Sequence, residues 1–280
     1  MKACLAQLLV HLDASPQTPQ RLAAARRTGQ ALGAAVTALY AVTPRFVALA
    51  FSPEIGPGIA QALQDIDEEL RQRALGAFRQ SLATPGIDVA WAEIRNDPVM
   101  AAFAQQALYA DLLVLGQHDP ASASSFGVPP DFVENVMFMS GKPALILPYA
   151  GTLPDVIGQT VVMAWKPVRE AARAVSAAMP FLKQARRVVI LSWTGEDEKI
   201  EGSRLDLNGY LRLHGIEAEW QHQGKEPDSL GDLLLSRAFD AGADLLVMGC
   251  YGHSRAREWA LGGTTRTVLA SMTLPVLMAH

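Results

Sequence analysis

The sequence has little cysteine: two residues in 280, Cys4 and Cys250, with no paired spacing. That excludes a disulfide scaffold and a cysteine-based zinc site. It also has no apolar run near the roughly 20 residues that would span a bilayer. Charge of one sign is missing too, with 24 Lys+Arg against 28 Asp+Glu and a formal net charge of −4. A dedicated nucleic-acid binder would carry a basic stripe, so that class is excluded. The opening Met1-Lys2-Ala3-Cys4 runs into a strand-like segment and has no signal-peptide design. The expectation from these absences is a reduced, cytoplasmic protein with no membrane insertion. What is present is apolar material, half of the residues. That is enough for two domains with a core each.

The chain repeats itself. Ala110-Asp111-Leu112-Leu113-Val114-Leu115-Gly116 matches Ala243-Asp244-Leu245-Leu246-Val247-Met248-Gly249, an offset of 133. Lys142-Pro143-Ala144-Leu145 matches Leu274-Pro275-Val276-Leu277, an offset of 132. Leu8 to Leu12 resembles Val161 to Trp165, an offset of 153. About 20 extra residues therefore lie within the first half, between Pro44 and Ala77. The linker is expected at Tyr149 to Gly158, giving domains 1–150 and 151–280.

Apolar runs alternate with amphipathic ones in both halves. Strands are expected near 4–12, 34–41, 87–92, 111–116 and 143–148, and again near 160–165, 187–193, 216–222, 244–249 and 274–279. Helices are expected near 168–184, 203–214, 227–241 and 264–272. Continuous apolar runs suit strands buried on both faces, and the alternation implies parallel sheets with right-handed crossovers. The fold class is α/β, two tandem doubly wound five-stranded parallel-sheet domains. Ligands in such sheets bind beyond the carboxyl ends of the strands, where strand order reverses. The residues after strands 1 and 4 of each half face that crevice.

After the fourth strand of the second half comes Gly249-Cys250-Tyr251-Gly252, then Gly262-Gly263-Thr264-Thr265-Arg266 nine residues on. Glycines admit a close ligand, and the N–H groups of the following helix can hold an anion. Thr264 and Thr265 can cap that helix or donate hydroxyl bonds. The chemistry suits a phosphate chain; the alternative is a glycine-rich turn that only packs helix on sheet.

This second half resembles the universal stress protein family, whose mark is Gly, two residues, Gly, nine residues, Gly, then a small or hydroxylated residue. Gly249, Gly252 and Gly262 match, and Gly263 stands where Ser or Thr is usual. Both halves fit the family's topology. The resemblance implies a tandem protein and an adenine nucleotide, ATP-like and with Mg²⁺, held by Gly249, Gly252, His253, Gly262, Gly263, Thr264 and Thr265. It also implies pairing of domains through their last strands, either in a homodimer or between the two domains of one chain. The family's binders place an Asp after strand 1. Asp13 occupies that place in the first half, Lys166 in the second. A carboxylate accepts hydrogen bonds, whereas an ammonium only donates. The first half loses its loop instead, reading Gly116-Gln117-His118-Asp119 and then Pro130-Asp131. Asp131 would put a carboxylate at a helix N-terminus and repel phosphate, so the first domain is expected to be empty.

No catalytic set and no metal set emerges. The histidines are scattered, and no Walker-type lysine follows the glycines. Three readings stay open: a nucleotide-binding signalling module, a nucleotide-independent dimeric interaction protein, and a slow ATPase.

Overall fold

The computed structural model describes residues 5–45, 47, 57–94, 97–121, 127–193, 205–222, 224, 229–250 and 263–280. The chain forms two compact units, one running to Lys142 and the other from Pro143 to His280.

The first unit alternates β1 (Gln7–Leu12), α1 (Thr18–Leu32), β2 (Ala35–Ala41), α2 (Pro57–Leu82), β3 (Val89–Ile94), α3 (Val99–Ala107), β4 (Leu112–Gly116) and α4 (Phe132–Ser140). Its strands lie in the order β3-β2-β1-β4, all parallel. The second unit holds β5 (Ala144–Leu147), β6 (Thr160–Trp165), α5 (Arg169–Leu182), β7 (Arg187–Ser192), α6 (Leu207–Leu213), β8 (Glu219–His222), α7 (Leu230–Asp240), β9 (Leu245–Gly249), α8 (Gly263–Ser271) and β10 (Val276–Ala279). Its order is β5-β10-β9-β6-β7-β8. Strand order reverses between β1 and β4, and between β6 and β9, as the doubly wound reading requires.

The repeated motifs have a structural cause. Asp111 accepts the N–H groups of Ala6 and Gln7 at 2.7 and 3.0 Å. Asp244 accepts those of Gly158, Gln159 and Thr160 at 2.9, 3.0 and 3.2 Å. Each aspartate thus opens its own strand and satisfies orphan donors at the start of the neighbouring one. The four apolar residues that follow Asp111 and Asp244 are buried, as strands covered on both faces must be.

The expected extra length falls on one element. α2 spans 26 residues, while its counterpart α6 spans 7. Asp67 of α2 accepts the Arg45 N–H, and Arg71 bonds Glu93 of β3 at 2.7 Å, so the long helix is tied to the carboxyl ends of β2 and β3.

One expectation about strands changes. β5, expected in the first half, groups with the second unit, where it pairs antiparallel with β10. The terminal strand β10 also pairs with β9, so it has a neighbour on each side. Of the two pairings open to the last strands, the structure has the one made within the chain, between β5 and β10.

Candidate functional site

In the first unit, Asp13 follows β1 at the reversal point, as expected. It is buried, and one of its two oxygens is fully engaged. Its Oδ1 accepts from Ser15 Oγ and Thr18 Oγ1, each at 2.6 Å, from the Ser15 N–H at 3.0 Å, and from Arg21 Nη2 at 3.3 Å. Burial pushes its pKa up, but the Arg21 charge, the His11 ring and the two hydroxyl bonds pull harder and hold it well below the carboxylate range. Asp13 Oδ1 thus has no capacity left for a further donor.

The group that fills this crevice is Arg21, 5% exposed. Its Nη1 donates to His11 Nδ1 and to the His11 carbonyl at 3.1 and 3.0 Å. An arginine only donates, so Nδ1 must be the acceptor and the His11 proton sits on Nε2, which donates to the Ala41 carbonyl at 2.8 Å. Phe132 and Phe103 close around the ring, with centroids at 4.4 and 5.4 Å. Burial and the neighbouring guanidinium lower the His11 pKa to about 4, against the raising effect of Asp13 and Ala41. Gly116, at the end of β4, is where Arg21 lies flat: a Cβ there would stand 2.9 Å from Arg21 Cζ.

Asp131 does not fill the first crevice. It is exposed at the N-cap of α4, and its side chain makes no capping bond. The charged group inside the crevice is Arg21, not Asp131. Sequence reading missed Arg21 and the part played by His11. The signal was a cation inside the buried stripe of α1, where Thr18, Arg21, Leu22 and Ala25 recur at helical spacing.

In the second unit, Gly249 ends β9 beside β6. A Cβ there would meet the Ala171 backbone nitrogen at 2.6 Å and Glu170 carbon at 2.7 Å. Gly249 therefore lets the first turn of α5 sit directly on the strand end. This is the packing role that stood beside the phosphate role in the sequence. Glu170, which the sequence reading passed over, is buried at this point. Burial pushes its pKa up, but the Arg169 hydrogen bond, its own backbone and the charges of Arg169 and His280 bring it below normal. Its charge reaches Cys250. Burial and the Glu170 charge push that thiol up, opposite to the lowering a reactive cysteine needs.

Gly263 and Thr264 open α8. Gly263 is exposed, with open space where a Cβ would go, and Thr264 is partly exposed. Thr265 is 3% exposed. α8 is fixed against α7 at Gly231, where a Cβ would stand 2.6 Å from Thr267 and 3.1 Å from the Thr264 carbonyl. Lys166 is exposed after β6, and Trp165 ends that strand half-buried. Gly252, His253 and Gly262 lie outside the described residues. Among the described residues there is no group of three or more His, Cys, Asp or Glu that could hold a metal ion. No helix among them is long and apolar enough to cross a membrane.

Comparison with known proteins adds the following. Residues 169–280 match the universal stress protein family. The universal stress protein from Archaeoglobus fulgidus DSM 4304 is 15% identical, with 98% of this chain and 95% of that one covered, at a TM-score of 0.71. A functionally unknown protein from Pseudomonas aeruginosa PAO1 is 16% identical, covering 98% and 92%, at a TM-score of 0.58. At these identities the likeness is one of fold, and it extends over both halves. No curated protein matches the chain.

Proposed function

We propose, from the match of residues 169–280 to the universal stress protein family, that this chain is a cytoplasmic stress-response binding protein whose second unit takes an adenine nucleotide. The observation that supports this most is Gly263: exposed, first in α8, with open space at its Cα. A phosphate could approach the N–H groups of that helix start closely, with the helix dipole in its favour. Thr264 would add a hydroxyl, and Gly252, His253 and Gly262 would complete the loop. Mg²⁺ would accompany a triphosphate. Gly249 contributes by seating α5 rather than by touching ligand.

The base end differs from a carboxylate-based site, because Lys166 is the residue after β6 and the nearby Glu170 is buried. The first unit would take no nucleotide, because Asp13 is engaged by Arg21. The expected stoichiometry is therefore one nucleotide per chain, and the ligand would act by biasing partner binding rather than by required turnover.

Native mass spectrometry of the full chain with ATP, AMP and Mg²⁺ tests this. One adduct per chain, lost in Gly263→Asp, is the expected result; that variant adds a carboxylate at the helix start without a packing clash. No adduct under any condition would reject the nucleotide reading. It would favour a protein that works through its surfaces.

A further inference from the structure

The first unit holds an acceptor for every terminal N–H of one planar cation. Arginine has four N–H bonds on its two terminal nitrogens and one on Nε. All four terminal ones have an acceptor: His11 Nδ1 at 3.1 Å, the His11 carbonyl at 3.0 Å, Asp13 Oδ1 at 3.3 Å and Ser15 Oγ at 3.2 Å. Nε is buried with no partner among the described residues. It lies over Gly116, where a Cβ would stand 3.0 Å from Nε and 2.9 Å from Cζ. The slot is therefore flat on one side and polar along the opposite edge. Thr18 fixes Asp13 from the side at 2.6 Å without touching the cation.

We propose that His11, Asp13, Ser15 and Gly116 form a guanidinium-binding site that the chain occupies with its own Arg21, closing the first unit's crevice to outside ligands. The acceptors are held independently of Arg21. Ala41 orients the His11 ring, and Ser15 and Thr18 orient Asp13. Removing the arginine side chain leaves a preorganised pocket with one buried carboxylate, which selects a planar cation over a tetrahedral ammonium or an anion. This inference does not depend on what the second unit binds.

The test is Arg21→Ala in the full chain, melted with millimolar methylguanidinium or methylammonium. The variant should melt lower than the unaltered chain. Methylguanidinium should raise its Tm in proportion to the logarithm of concentration, as a ligand of the folded state does. Methylammonium should not, the unaltered chain should gain nothing, and Arg21→Ala with Asp13→Asn should lose the rescue. Equal effects of the two cations, or rescue that persists without Asp13, would overturn the proposal. Should Arg21→Ala fail to fold, the unaltered chain still decides the matter by nitrogen-15 NMR. Four acceptors at fixed positions require separate, slowly exchanging Nη signals for Arg21, and one averaged Nη signal would refute the site.

Discussion

Acid sensitivity of the first unit can be worked out from His11 alone. The ring is neutral in the folded chain because burial and Arg21 lower its pKa to about 4, from 6.5 when free. The unfolded chain therefore binds the proton at a higher pH than the folded one. Stability is fully present above pH 6.5, falls as pH drops toward 4, and changes no further through this group below that. Between pH 7 and pH 5 the difference in proton binding removes about 2 kcal/mol, and the full window about 3 kcal/mol. Urea titrations at pH 7 and pH 5, followed through the Val10 amide signal of β1, read this unit selectively. His11→Gln is the comparator: its amide can still donate toward the Ala41 carbonyl but cannot titrate. Other carboxylates and histidines titrate in both chains and cancel in the difference. The unaltered chain should lose about 2 kcal/mol more than His11→Gln over those two pH units. An equal loss in both chains would refute the placement of a neutral His11 in the crevice.

Packing and hydrogen bonding give four more expected outcomes. Gly249→Ala should cost about 1–3 kcal/mol in chemical denaturation, because the methyl group meets backbone rather than a movable side chain. Gly263→Ala should leave stability within about 0.5 kcal/mol of the parent. Asp244→Ala should cost about 1–3 kcal/mol, since three N–H groups at the start of β6 lose their acceptor; an unchanged melt would mean that water replaces it. Cys250 should resist iodoacetamide in the folded chain and react once urea unfolds it, read by peptide mapping; fast native labelling would contradict its burial.

The alternation of strands and helices, and the crevice after strands 1 and 4 of each half, were legible because they rest on local pattern. An apolar run such as Leu245-Leu246-Val247-Met248, set between a polar Asp244 and Gly249, suits a strand buried end to end, and alternation with helices forces parallel crossovers. The repeat of Ala-Asp before each such run likewise follows from one job, closing the start of the adjacent strand. The extra first-half length was also visible, and it went into the single helix α2.

The candidate sites divide differently. Chain order alone is enough to say that Asp13 follows β1, that Lys166 takes that place in the second half, and that the glycines cluster after β9. What each of these residues faces comes from packing. Arg21 lies eight residues beyond Asp13, yet α1 carries it back over the strand end, so the carboxylate has an internal partner. Gly249 seats a helix that begins 80 residues earlier, and Thr265 turns out buried while Gly263 is open. The pairing of β5 with β10 joins residues more than 120 positions apart. Local pattern sets which residues can form an element. Whether a polar group is spent inside the protein or left for a ligand depends on the neighbours that packing brings to it, and those neighbours are distant in the chain.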